Sequence, residues 1–194
     1  IGGIGLVNTD PNTGVGCSSP TLMYGLILAD VEVDMHTGKA VCKRYITVDD
    51  IGAIGNIISV EGQAFGGASH CIGFALSENY DDVKKHANMK GAGIPYPLDT
   101  PDDMQLYHLC TLRKHGPHGS AGCSELYQSG GHMAVINAIY RACGVRIYEL
   151  PAYPEKIKAG LDILAAGGKI EPPQRYFLGG DLYEELEEIK ANPV

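Results

Sequence analysis

The sequence predicts an α+β protein in which an antiparallel hairpin and further strands pack with about three helices. Three observations carry that prediction. Two apolar runs flank turn chemistry in "TLMYGLILADVEVDMHTGKAVCKRYITVDD". Small and apolar residues recur at helical spacing in "NIISVEGQAFGGASHCIGFALSE". Two more helical segments follow a glycine-rich loop toward the C-terminus.

In the hairpin, Leu28, Val31 and Val33 form one run and Val41, Ile46 and Val48 the other, with Gly38 placed to take a positive φ in the turn between them. In the first helix, Ile58, Phe65, Ser69, Ile72 and Leu76 mark one face. Its glycines and alanines cost helix propensity, so close packing against a neighbour or ligand must be their purpose. "DDVKKHANMKGAGIPYPLDTPDD" reads as a loop with a short helical turn before Met89, and "MQLYHLCTLR" as a strand entering the glycine-rich loop. Ser129 is the expected N-cap of a helix through Met133, Val135, Ile136, Ile139 and Ala142, closed by Gly144. "VRIYELP" reads as a short strand or extended exit, and "YPEKIKAGLDILAAGG" as a helix with Pro154 in its first turn and a Gly-Gly stop. Residues 1–166 then form one body. Residues 167–194 form a Pro-Pro arm and a short acidic helix with Leu182, Leu186 and Ile189 on one face, a docking tail rather than a self-stable element.

Composition narrows the function classes. At 194 residues the chain can bury one good core. A net charge of -8 disfavours duplex nucleic acid, and no apolar run reaches a membrane span. The opening "IGGIGLVNTDPNTG" has neither the basic nor the sustained apolar region of a signal peptide, and it lacks an initiator Met, as in a processed chain or a piece of a longer one. The six cysteines contain no Cys-x-x-Cys pair, so they read as buried thiols of a reducing compartment and a cytoplasmic location is expected. "GGIGLV" is not followed by a helix, and "GVGCSS" has no lysine, so neither is a nucleotide fingerprint.

The 26 glycines cluster, and one cluster frames an isolated acid, Glu125 in "HGPHGSAGCSELYQSGG". A carboxylate in a small-residue loop can approach a bound molecule with little obstruction, and burial without a cation would raise its pKa toward the range of a general base. The alternative is a solvated loop acid. Gln63 of "EGQAFGG" reads as a ligand contact at a helix start, with backbone amides toward phosphates, or as an exposed amide on a tightly packed helix. His115, His118 and Cys123 offer zinc-type ligands in a spacing that matches no standard motif, and His70 beside Cys71 reads as packed or hydrogen-bonded.

The order "GQAFGGASHCIGFALSE", "KKHANMKGAGIPYP", "GPHGSAGCSEL", "HMAVINAIYRACGVRIYELPAYPEKI" resembles the C-terminal part of the molybdopterin-binding domain of the molybdenum hydroxylases, the xanthine oxidase family, from about Thr13 to Leu164. The look is that of bacterial aldehyde oxidoreductases. The resemblance implies that Glu125 is the catalytic base. It would take the proton from a hydroxyl or water on molybdenum so that the oxygen attacks the substrate carbon. It implies cofactor contacts from Gln63, Gly66 and Gly67, and from Gly122, Cys123 and Ser124 of the loop. Three departures stand out: Ser124 where glycine is usual, "LYQSGG" in place of a proline-containing sequence, and His70 in place of a glutamine. The implied cofactor is a molybdopterin cytosine dinucleotide carrying molybdenum. The implied partners are a larger molybdenum-binding portion and a portion holding [2Fe-2S] clusters, because neither the other cofactor loops nor the cluster cysteines are in this sequence. The implied substrate is an aldehyde, with an N-heterocycle or a non-catalytic assembly role as alternatives.

Overall fold

The computed structural model describes Asp10, Asn12, Thr13, residues 21–172, Lys190 and Ala191. The expected hairpin is β1 (Tyr24–Val33) and β2 (Ala40–Asp50), paired antiparallel with an irregularity between Asp30 and Val31. Its turn is built by Asp34, whose Oδ1 accepts from the amides of His36 and Thr37 at 2.8 and 3.2 Å. Gly38 closes the turn at φ +76°, a conformation that a Cβ would strain.

β3 (Asp103–Leu109) runs parallel to β2, giving a three-stranded mixed sheet in the order β1-β2-β3. Parallel neighbours require a crossover, here α1 (Ile57–Leu76) and the loop after it. β3 is shorter than the expected strand because the chain turns away after Leu109, where the Thr111 amide bonds Asp50 Oδ1 at 3.1 Å. Two helices follow, α2 (Gly131–Cys143) and α3 (Pro154–Ala165). Gly144 ends α2 as expected. At the end of α3 the amides of Gly167 and Gly168 bond Leu164 O and Ile163 O, a Schellman closure.

The structure corrects several expectations. Ser129 does not cap α2: Gly130 holds that position with no side-chain bond, and the Ser129 hydroxyl donates to Glu125 O at 2.6 Å. Of the two readings of "VRIYELP", the strand does not form and the segment is an irregular exit with a bend at Glu149–Pro151. Its course is fixed by the Ala152 amide, which bonds Ala75 O at the end of α1. Ile58 and Phe65 are exposed. α1 instead buries Val60, Ala64, Gly67, Ala68, Cys71, Ile72 and Ala75, because the elements it meets come too close for larger side chains. Of the described cysteines only Cys42 and Cys71 are buried, and Cys110 is exposed. Leu182, Leu186 and Ile189 of the expected tail helix lie outside the described residues.

The main core lies between the inner sheet face and the three helices, with Tyr45, Cys71, Ile72, Val135, Ile139 and Ile157 at its centre. A smaller cluster of Ile51, Val60, Ala64 and Tyr127 sits at one end. The outer sheet face is bare: Tyr24, Leu26 and Leu28 of β1 and Tyr107 and Leu109 of β3 are all more than half exposed. Ile46 and Val48, read from the sequence as an apolar run, sit opposite Leu28 and Leu26 on that same face. Among the described residues no helix is long and apolar enough to cross a membrane.

Close packing at α1 sets a sharp contrast between two glycines. A Cβ at Gly131 would overlap the Tyr45 hydroxyl and lie 2.7 Å from Cys71 Sγ, whereas nothing lies within 4 Å of one at Gly62. Gly131→Ala therefore lowers stability by about 1–3 kcal/mol through overpacking. Gly62→Ala raises it by about 0.5–1 kcal/mol, as expected in a helix interior. Urea midpoints of the intact polypeptide check both signs.

Candidate active site

Glu125 is held by two stapled loops. The glycine-rich loop lies along the segment after β2: Ala121 N donates to Ile51 O at 2.7 Å, Ala53 N to Gly119 O at 3.2 Å, and Ser120 Oγ to Ala53 O at 2.5 Å. Arg113 closes the base of the loop. Its Nη2 donates to Asp50 O at 2.6 Å and lies 3.0 Å from Asp50 Oδ1, and its Nε donates to Leu22 O at 2.8 Å. The Thr111 hydroxyl and amide, the Gly52 amide and the Arg113 guanidinium together pull the Asp50 carboxyl down to about 2.

From Cys123 the chain enters a 3-10 turn, Ser124–Gln128, that carries the acid. Leu126 packs over Gly25 of β1, where a Cβ would stand 2.9 Å from its Cδ1. Tyr127 is buried beneath the turn against α1. A Cβ on Gly67 would be 2.6 Å from that of Tyr127, and Cys71 Sγ donates to Tyr127 O at 3.4 Å. Glu125 itself points outward and is exposed, and Ser124 Oγ donates to its Oε2 at 2.8 Å. The expectation of a buried acid with a raised pKa is therefore corrected: the Ser124 hydroxyl, and then the residue's own amide, hold the carboxyl below its usual range. Glu125 is ionised at neutral pH and able to accept a proton.

The other sequence candidates separate into two groups. Gln63 and Gly66 are exposed on α1, and no atom lies within 4 Å of a Cβ placed at Gly66. Gly122 is equally open, meeting only Met23 Cε at 3.6 Å. Gly67, by contrast, is covered by Tyr127. Cys123 is half-buried, and burial pushes its thiol up, followed by the charges of Asp49 and Glu125. Gln63 lies well inside α1, whose N-cap is Asn56, so the expectation of free amides around it at a helix start fails: those amides are spent on the helix. His115 and His118 are exposed. Among the described residues no group of three or more His, Cys, Asp or Glu is placed to hold a metal, so the zinc alternative has no support here. His70 bonds through Nδ1 to Gln128 Nε2 at 3.2 Å, on the same turn.

Sequence reasoning missed Asp49, His108 and the burial of Tyr127. Tyr127 donates to Asp49 Oδ2 at 2.7 Å, and Asp49 Oδ1 is 2.8 Å from His108 Nδ1. Burial, then the Asp49 contact, pushes the Tyr127 phenol far up, so it stays a neutral donor. The only trace in the sequence is strand alternation, which puts Asp49 on the face of Tyr45 and Thr47.

Residues 4–101 match the family profile described as Molybdopterin cofactor-binding domain. The chain belongs to that family. This molybdopterin-binding segment is 41% identical over 157 residues to the aldehyde oxidoreductase of Megalodesulfovibrio gigas, covering 81% of the chain and 17% of the relative. It is 32% identical over 146 residues to the nicotine 6-hydroxylase large subunit of Paenarthrobacter nicotinovorans, covering 72% of the chain and 18% of the relative. The solved aldehyde oxidoreductase from Desulfovibrio gigas superposes with a TM-score of 0.78 at 41% identity, over 81% of the chain and 17% of that structure. The enzyme from Desulfovibrio desulfuricans gives 0.74 at 46% identity, over 76% and 16%. The segment thus spans about one sixth of the relatives it matches, and its resemblance to the molybdenum hydroxylases holds.

The Asp50 staple gives the segment an acid limb. Its folded pKa lies below the ordinary 3.8, so its contribution is complete above pH 3.8 and is lost as pH falls through about 2. Asp50→Asn removes that limb: stability is lower at pH 5 but falls less between pH 4 and 2, as denaturation midpoints across that range will show.

Proposed function

We propose that this chain is the base-bearing part of a molybdenum-dependent aldehyde oxidoreductase. The overall change is RCHO + H2O → RCOOH + 2 H⁺ + 2 e⁻, with water as oxygen source and the electrons leaving to [2Fe-2S] clusters on another portion of the enzyme. The observation that carries the reading is the outward-facing Glu125 on a 3-10 turn that follows a small-residue loop, in a segment 41% identical to an aldehyde oxidoreductase.

The residues fit the implied group. Gly66 and Gly122 leave open space on the helix and the loop, and the exposed Gln63 side-chain amide offers a donor. Gln63 and Gly66 on α1, and Gly122, Cys123 and Ser124 on the loop, would hold a molybdopterin cytosine dinucleotide, shared with the larger molybdenum-binding portion. Gly67 serves it from below, by letting the Glu125 turn seat on α1. When bound, the molybdenum cofactor supplies the two-electron redox chemistry.

Glu125 takes the proton of the attacking oxygen as that oxygen adds to the aldehyde carbon. In the open segment its pKa is low, which makes it a weak base. Enclosure by the rest of the enzyme and an apolar substrate desolvates the carboxylate and raises its affinity for a proton. Ser124 orients it: its hydroxyl donates to Oε2 and leaves Oε1 to accept the proton of the attacking oxygen. The bare face of Tyr24, Leu26, Leu28, Tyr107 and Leu109 meets the remaining molybdenum-binding portion. Residues 167–194 form a docking tail, and the assembled enzyme is cytoplasmic.

Glu125→Gln keeps the shape and removes the base. In the intact enzyme it lowers kcat for aldehyde oxidation by at least about 10²-fold, while molybdenum content, read by elemental analysis, stays at the parent level. Equal turnover in the variant would reject the role.

A further inference from the structure

Beneath Glu125 lies a buried polar network that the proposed chemistry does not use. Tyr127 is 1% exposed and donates to Asp49 Oδ2 at 2.7 Å. Asp49, its side chain wholly enclosed, pairs through Oδ1 with His108 Nδ1 at 2.8 Å. His108 Nε2 is also buried and has no hydrogen-bond partner among the described residues. The three residues come from the acid-bearing turn, β2 and β3.

Apolar side chains would fill this space without enclosing a carboxylate, and replacing a buried charged pair by packed apolar groups is often neutral or stabilising. What the polar set adds is direction. Gly67 lies against the Cβ and main chain of Tyr127, and the side chain is buried in one cluster with Ile51, Val60 and Ala64. The bond to Asp49 also stops the ring from sliding along its own axis. At the backbone end, Cys71 Sγ holds Tyr127 O, and the Ser129 hydroxyl bonds Glu125 O at 2.6 Å, joining the acid and the tyrosine in one turn. A shift of Tyr127 is therefore a shift of Glu125.

We propose that Tyr127, Asp49 and His108 are positioning residues for Glu125, fixing the height and orientation of its turn against the sheet. The proposal rests on the reading of Glu125 as the base. It names residues that act through that acid and touch neither cofactor nor substrate.

The test uses the intact, molybdenum-loaded enzyme. Tyr127→Phe removes one oxygen and keeps the ring. Because small misplacements of a catalytic group cost up to about 10²-fold, kcat falls about 10- to 100-fold while KM and molybdenum content stay at the parent values. Hydrogen exchange, which needs no turnover, quickens at the amides of residues 122–129 and not in α1 or α2. Asp49→Leu reproduces the loss. Asp49→Asn, whose carbonyl still accepts from Tyr127 and whose amide can pair with the other His108 tautomer, recovers most of it.

Parent-like kcat in Tyr127→Phe overturns the proposal, as does a loss that merely tracks missing metal or unfolded protein. Should Asp49→Leu fail to fold, Tyr127→Phe with its exchange pattern carries the decision alone. Glu125→Gln measured alongside separates two failures. If it is inactive while Tyr127→Phe is fully active, only the positioning role falls. If it is active, the base assignment falls and takes the positioning role with it.

Discussion

The backbone of α1 at Gly67 lies directly against Tyr127, and most of the candidate site depends on that approach. A side chain at position 67 would lift the 3-10 turn off the helix. Glu125 would move with it, because the acid and the tyrosine share one short turn tied by Ser129. The same approach explains a helix that otherwise looks poorly made. α1 gives up propensity at Gly62, Gly66, Gly67 and Gly73. At Gly67, on the face with Ala64, Ala68 and Cys71, the loss admits the acid-bearing turn to the main chain of the helix.

Two aspartates at the end of β2 divide the remaining work. Asp50 faces the loop side, where Arg113, Thr111 and Gly52 gather on it and clamp the start of the glycine-rich loop. Asp49, one residue earlier, points into the protein and meets Tyr127 and His108. Strand alternation thus sends adjacent carboxylates to opposite faces. One anchors the loop that leads to the acid, and the other anchors the turn that carries it. The Asp50–Arg113 pair, with both side chains largely enclosed, fixes the base of the loop as well as carrying the acid-dependent stability.

The bare sheet face and the small share of each relative that the segment spans point the same way. A sheet with Tyr24, Leu26, Leu28, Tyr107 and Leu109 exposed presents a contiguous apolar surface of the kind that a further layer covers. The segment spans 17% of the aldehyde oxidoreductase it resembles, and in that relative most of the polypeptide lies outside the matched part. Glu125 is exposed as well, and the proposed role as base rests on enclosure by a further portion of the enzyme.

The local elements and the family were legible in the order of residues alone. The hairpin follows from Asp34 and Gly38, the end of α2 from Gly144, and the start and stop of α3 from Pro154 and the Gly-Gly pair, all signals carried within a few residues. Glu125 was visible because an acid amid small residues is a local anomaly, and the ordered motifs identified what it belongs to. Which faces are buried, and what surrounds the acid, emerged with the packing of the elements. Period and composition mark an apolar run without telling which side the next layer occupies, so Ile46 and Val48 turned out to face outward and Ile58 and Phe65 to be exposed. Ser129 looked like a helix cap until the turn before it claimed its hydroxyl. The Tyr127–Asp49–His108 network joins residues 59 and 78 positions apart, a juxtaposition that exists only once β3 has crossed over to lie beside β2. The ionisation of Glu125 likewise depended on solvent exposure and a single serine hydroxyl, quantities set by the folded surroundings rather than by the residue type.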